Sequence, residues 1–296
     1  MKARGDAWSG FWKDEPAAAS GATLANLPPD VRARMDAPWS ALARLLPPKA
    51  KVLDLATGGG IVLELLRQRR RDLTLVGIDA AASLPRLAGL KLLAKTRADA
   101  LPFGDASFDA VTSRFGIEYG DLGGGGAEAA RVLRHGGRLC MILHHAESEV
   151  LRHNRARRGA LQWAAHESGW PVKAANLARL QLVAAMPMPP AFRAAPAEAA
   201  ARFPAQSVAW EFLTGLVQVL EAGLGGDNEA GVRQLVDRAD DELARLAALE
   251  AAACDQGRIE ELCDALERGG VSVTPPQPIV VPDGGLLAWV VEGLRE

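Results

Sequence analysis

The chain has 296 residues, 49% apolar and 24% charged, with 34 Lys and Arg against 36 Asp and Glu for a formal charge of −2. That is one large domain or two small ones, apolar enough to fold without a disulfide or metal staple, which excludes wholesale disorder, collagen and a small cysteine scaffold. The balanced charge argues against a nucleic-acid binder, and three widely spaced cysteines, Cys140, Cys254 and Cys263, fit a reducing, cytoplasmic compartment. No apolar run reaches the ~20 residues of a membrane helix, and the first residues lack the apolar core of a signal peptide.

Residues 1–48 are predicted to be a helical preamble carrying Trp8, Phe11, Trp12 and Trp39. These aromatics serve either plain packing or closure over a cleft. From residue 49 the pattern changes. KVLDLA is an apolar strand ending in TGGG, followed by a helix (IVLELLRQRR), a strand (LTLVGID) and a helix or turn (AASLPRLAG). KLLAKTRAD holds a short strand, FDAVTSRFG a strong one, and GGGGAEAARVLRHGG a glycine-rich entry with a short helix before the strand RLCMILHH. Short strands that are apolar almost throughout are covered on both faces, so the rhythm predicts a doubly wound, mostly parallel α/β sheet.

Residues 150–255 are rich in Ala, Leu, Glu and Arg and read as a helical insertion, a lid or an interface. Trp163, Trp170, Trp210 and Phe212 fall in it, and helical periodicity places most of them in its core. Residues 256–296 return to the sheet through the helix RIEELCDALERGG. Two strands then flank a turn at Pro282-Asp283-Gly284-Gly285. Pro275, Pro276 and Pro278 lack ladder donors, so the first of these strands is broken or lies at an edge.

The segment Asp54-Leu55-Ala56-Thr57-Gly58-Gly59-Gly60 is a strand, a glycine turn and a helix start. Such a loop lets a ligand approach the backbone beside free helical amides. Asp79 ends the next strand, placed to accept the ribose hydroxyls of NAD or S-adenosylmethionine alike. The third glycine of a dinucleotide fingerprint is absent, since Leu63 stands three residues after Gly60. Ala98-Asp99-Ala100-Leu101-Pro102-Phe103 followed by Ser107-Phe108-Asp109 separates the two cofactors, and the turn Leu133-Arg134-His135-Gly136-Gly137 precedes the fifth strand.

In these ordered motifs, spanning about half of the chain with the closing hairpin, the sequence resembles the class I S-adenosylmethionine-dependent methyltransferases that modify small molecules. The resemblance implies a Rossmann-like fold: a seven-stranded, mostly parallel sheet with an antiparallel C-terminal strand, N-terminal helices and the helical insertion. It implies that Asp54 faces the methionine amino group, that Ala56, Thr57, Gly58 and Gly60 line the cofactor, and that Asp79 with Ala80 takes the ribose. Asp99, Ala100 and Leu101 would meet the adenine, and Phe115 would pack on the cofactor or the acceptor. Ala56 departs from the family's glycine, which implies a modest change of loop shape. Asp109 ties down the start of its strand.

The acceptor side is less specific. Ser113 to Tyr119 follows the fourth strand, where ligands of open α/β sheets bind, and lacks the signature of base-amine methylation. Arg114 binds an acceptor anion or pairs with Glu118, and Tyr119 contacts the acceptor or is a partly buried loop residue. His144 and His145 end the fifth strand. One of them points into the cleft by strand alternation, as a general base or a wall residue. No metal triad is discernible around Glu147, Glu149 and His153. The expected activity is methyl transfer to an O, N or C atom of a small molecule. A protein or RNA acceptor, or a non-catalytic cofactor-binding member acting through protein interaction, are the alternatives.

Overall fold

The computed structural model describes residues 28–184, 186–204, 207–222 and 227–296. Trp8, Phe11 and Trp12 lie outside them. Two compact units result: the described residues up to Leu151 together with Leu249–Glu296, and Arg152–Ala248, which is shorter at both ends than the predicted insertion.

The first unit opens with α1 (Pro29–Leu45), where Pro38 is accommodated inside the helix. There follow β1 (Lys51–Leu55), α2 (Ile61–Arg69), β2 (Thr74–Ile78), β3 (Lys91–Leu93) and β4 (Phe108–Arg114). After a 3₁₀ turn at Ile117–Tyr119 come α3 (Leu122–Val132) and β5 (Leu133–His144). After the second unit, the chain completes the sheet with α9 (Gln256–Arg268), β6 (Val271–Val273), β7 (Gln277–Val280) and β8 (Leu286–Arg295).

The strand order is β3-β2-β1-β4-β5-β8-β6, with β7 also paired to β8. β1 to β5 are mutually parallel and β8 runs antiparallel to β5. The sheet thus has eight strands where seven were expected. The extra one arises because the proline-bearing strand is split. β6 pairs Val271–Val273 with Arg295–Gly293, and β7 pairs Gln277–Val280 with Val290–Leu286, both along one side of β8. Thr274-Pro275-Pro276 is the break between them. The turn closes with Gly284 at φ +87°, as the Asp-Gly pattern requires.

Each sheet face buries one row of side chains. Leu53, Leu55, Val111, Met141 and Leu143 pack with α3 and α9. Val52, Ala110, Cys140 and Ile142 pack with Met35 and Trp39 of α1 and Leu66 of α2. The glycine run lies inside α3 rather than ahead of it. Asp121 caps the helix by accepting the Gly124 amide. A Cβ on Gly126 would come within 3.0 Å of Ala265, so missing side chains let α9 lie close. That contact offsets the ~1 kcal/mol a glycine costs a helix. The β2–β3 connection contains no helix; its turn ends at Gly89, φ +78°.

The second unit is helical. Its helices are α4 (Glu149–Gln162, of which it takes Arg152 onward) with a π-helical turn at Trp163–Glu167, α5 (Trp170–Val183), α6 (Pro190–Arg202), α7 (Val208–Glu221) and α8 (Asn228–Ala252, of which it takes the part up to Ala248). Trp163, Trp170, Phe192, Phe212 and Leu216 form its core, with Trp210 packed against them. The Trp170 indole N–H donates to Glu198 Oε2 at 2.8 Å, which satisfies its polar edge. No helix among the described residues is long and apolar enough to cross a membrane.

Candidate functional site

The carboxyl ends of β1, β2, β4 and β5 carry most of the residues singled out in the sequence. At the end of β1, Asp54 is buried and pairs in register with Thr112 of β4. Its Oδ2 accepts the Thr57 hydroxyl and its Oδ1 the Thr112 hydroxyl, each at 2.7 Å. Burial pushes its carboxyl from the ordinary 3.8 to about 7, against the pull of those two hydroxyls.

The loop that follows is held in left-handed backbone at Ala56 (φ +50°), Gly58 (φ +49°) and Gly60 (φ +75°). Ala56 is therefore strained, in a backbone conformation that glycine adopts freely. Gly60 is needed on two grounds, because a Cβ there would also lie 2.5 Å from the Leu87 side chain. Asp79 reaches across from β2. Its Oδ2 accepts the Gly58 amide at 2.9 Å and its Oδ1 the Ala81 amide at 2.8 Å. An ionised carboxylate has about four acceptor positions, so two stay open for a diol. Burial raises the Asp79 carboxyl, and the two amides oppose the rise.

Asp99 accepts Arg97 Nε at 2.8 Å and is also bonded by Arg97 Nη2, which lowers its carboxyl. The segment after it is fastened to α3. Leu101 N–H donates to Glu128 Oε2 at 2.8 Å, and Arg131 Nη1 donates to the Phe103 carbonyl at 2.8 Å. Leu101 is buried, whereas Ala80 and Ala100 are exposed. Asp109 accepts the Lys51 N–H and Arg134 Nη1, tying the start of β4 to those of β1 and β5.

Arg114 does not pair with Glu118. Its side chain is 4% exposed and faces Asp36 of α1 at 3.7 Å, not Glu118. Its Nε is buried without a partner, and burial lowers its basicity while Asp36 and Asp54 oppose that. Glu118 instead turns to β5, where its Oε1 accepts the His144 backbone N–H at 3.0 Å and meets His144 Nδ1 at 2.8 Å. The His144 ring lies 4.2 Å from the Phe115 ring and meets Tyr119 edge-on at 6.0 Å. Burial first, then the Glu118 charge, pushes the Tyr119 phenol far up, so it remains protonated. His145 takes another course. Its Nδ1 accepts the Glu147 amide at 3.0 Å, its ring stacks on Trp289 at 4.6 Å, and burial lowers its basicity.

Residues missing from the sequence reading are Thr112, Asp36, Gly77 and the role of Glu118. Only Gly77 left a signal, as a glycine inside an apolar strand. A Cβ there would sit 2.7 Å from the Thr57 side chain, so Gly77 makes room for the loop.

Fold and site together define a doubly wound domain built for a nucleotide-type cofactor at the carboxyl ends of its strands. Residues 53–141 match the family model described as a methyltransferase domain. That match lies wholly within the α/β unit and runs from β1 into β5. The chain is 38% identical over 97 residues to a demethylmenaquinone methyltransferase of Thermotoga maritima, covering 31% of this chain and 42% of the relative. It is 42% identical over 101 residues to its Deinococcus radiodurans namesake, with the same coverages. It is 33% identical over 107 residues to a ubiquinone/menaquinone biosynthesis C-methyltransferase of Geotalea daltonii, covering 32% and 46%. The matches span less than half the length of these relatives. A solved S-adenosylmethionine-dependent methyltransferase of Thermotoga maritima, a possible histamine N-methyltransferase, superposes with a TM-score of 0.48 at 12% identity, covering 99% and 100% of the two chains.

Proposed function

We propose that the chain transfers a methyl group from S-adenosylmethionine to a small, planar, quinone-type molecule. The observation that carries the cofactor half is the prebuilt loop, with Gly58 and Gly60 left-handed, the Gly58 amide held by Asp79, and Asp54 buried beside it. Asp54 would face the cofactor's amino group, Asp79 its ribose, and Asp99 with Leu101 its adenine. The bound cofactor supplies a sulfonium methyl that is already activated. The protein's task is then alignment for in-line displacement and exclusion of water.

The acceptor half is supported by the relatives' names, which specify demethylmenaquinone and C-methylation, and by the aromatic surround of Phe115, Tyr119 and His144. Three free thiols, two of them buried, favour a cytoplasmic setting. Calorimetry with S-adenosylhomocysteine tests the reading. One site per chain at micromolar strength is expected. Tight NAD(H) binding without a response to S-adenosylhomocysteine would overturn it.

A further inference from the structure

We infer that Glu118 is the positioning residue of a Glu118–His144 pair, which presents His144 Nε2 as the base for an acceptor carrying a weakly acidic hydroxyl on a flat ring. The inference rests on the methyl-transfer reading and narrows its acceptor.

The Glu118 side chain is fully buried. One oxygen accepts the backbone N–H of His144 and meets its ring Nδ1, and the other, Oε2, is buried without a partner. A carboxylate only accepts, so the contact calls for a proton on Nδ1. Nε2 is then left with its lone pair. The backbone bond from His144 to the same oxygen fixes the carboxylate against the end of β5, so ring and carboxylate are placed as one unit. The Glu118 backbone is anchored in turn, since Arg258 Nη2 of α9 donates to its carbonyl at 2.9 Å.

The pair also stands at the right place along the sheet. Asp54 and Thr112 are register partners, and Arg114 follows two residues further along β4. Arg114 leans over the Phe115 ring, and that ring faces His144. A continuous row therefore runs from the cofactor's expected amino end to the imidazole. Phe115 is held for this role in left-handed backbone at φ +54°, with its N–H on the Ile142 carbonyl. The charged and titratable groups around the pair are Glu118 itself, Tyr119, Arg258 and Cys254. The thiol of Cys254 is pushed up to about 12 by burial first and then by Glu118. Tyr119 stays protonated, which leaves His144 as the base.

The acceptor's hydroxyl proton passes to Nε2, and Glu118 faces the resulting imidazolium across Nδ1–H. The freed electron pair, at that oxygen or at the adjacent ring carbon, forms the bond to the methyl carbon. The pair of the broken C–S bond stays on sulfur. Attack through ring carbon is completed by loss of the ring proton to water. In either case His144 returns its proton to solvent.

Nitrogen-resolved NMR of the histidines in the full chain tests the pair without turnover, the His144→Gln protein supplying the assignment. Neutral His144 protonated on Nδ1 is expected; a ring protonated on Nε2 overturns the inference. Turnover is then read with 1,4-dihydroxynaphthalene and with its quinone, which has no proton to give. Only the dihydroxy form should be methylated. Glu118→Gln should lower kcat about tenfold or more and move the acid limb of its pH profile to lower pH, with the S-adenosylhomocysteine Kd and KM nearly unchanged. An unaltered kcat and pH profile, or equal use of the quinone, overturns it. If the wild type fails to bind S-adenosylhomocysteine, the methyl-transfer reading falls, and the NMR result still decides the pair.

Discussion

Replacing Asp54 with Asn should stabilise the cofactor-free protein, and by an amount set by pH. In the unfolded chain this carboxyl ionises at its ordinary 3.8; in the folded protein it does so at about 7. Between those values the folded state holds more protons than the unfolded one. Its contribution to stability therefore falls as pH rises through this window and levels off above it. The gap corresponds to about 4 kcal/mol at roughly 1.4 kcal/mol per pH unit. The asparagine side chain keeps the shape, and its amide oxygen can still accept the Thr112 hydroxyl, while the Thr57 hydroxyl can turn to accept from the amide. Urea unfolding followed by tryptophan fluorescence should show the variant ahead by only about 1.6 kcal/mol at pH 5. The variant should be ahead by up to about 4 kcal/mol at pH 8. The same ionisation should tighten S-adenosylhomocysteine binding in the wild type between pH 6 and 8, a dependence the variant loses. A stability difference equal at pH 5 and pH 8 would refute the reasoning.

Asp79→Ala removes two backbone bonds to a carboxylate as well as the expected ribose acceptor, so it should lower the melting temperature and weaken S-adenosylhomocysteine at least tenfold by calorimetry. An unchanged Kd would take Asp79 out of the ribose role. Ala56→Gly relieves a left-handed alanine and should gain about 1 kcal/mol in chemical denaturation, less the entropy glycine adds to the unfolded chain; a net loss would show that the methyl group packs productively. Arg131→Met unties the segment 101–105 from α3 and should cost roughly 2 kcal/mol together with several-fold in cofactor affinity. Equal affinity would mean that this segment is held in place without it.

The parts legible in the sequence were those written in consecutive residues. Val52 to Gly60 specifies strand, turn and helix by apolar pattern and glycine placement, and the prolines at 275–278 announce the broken strand. The Asp-Gly turn marks the hairpin in the same way. What stayed hidden depends on residues far apart in the chain. Asp36 meets Arg114 only because α1 lies over that face of the sheet. Glu118 meets His144 across β4 and β5, 26 positions further along the chain. Spacing alone made Glu118 a partner for Arg114 four residues away, but the 3₁₀ turn directs it elsewhere. The glycines of α3 read as a loop by propensity, and tertiary packing against α9 overrides that preference.

The split between β6 and β7 bears on how these molecules behave at high concentration. A sheet ending in a long straight strand offers a row of unpaired amides and carbonyls to any neighbour, and can be extended by a second chain. Here one margin is interrupted by Pro275 and Pro276, and Pro278 within β7 has no N–H to offer in either direction. The opposite margin, β3, is three residues long and begins with Lys91. Neither margin provides a template of useful length, so the sheet is closed to strand-by-strand growth. Making Pro275, Pro276 and Pro278 into β-branched residues would restore one continuous outer strand and, with it, a route to self-association.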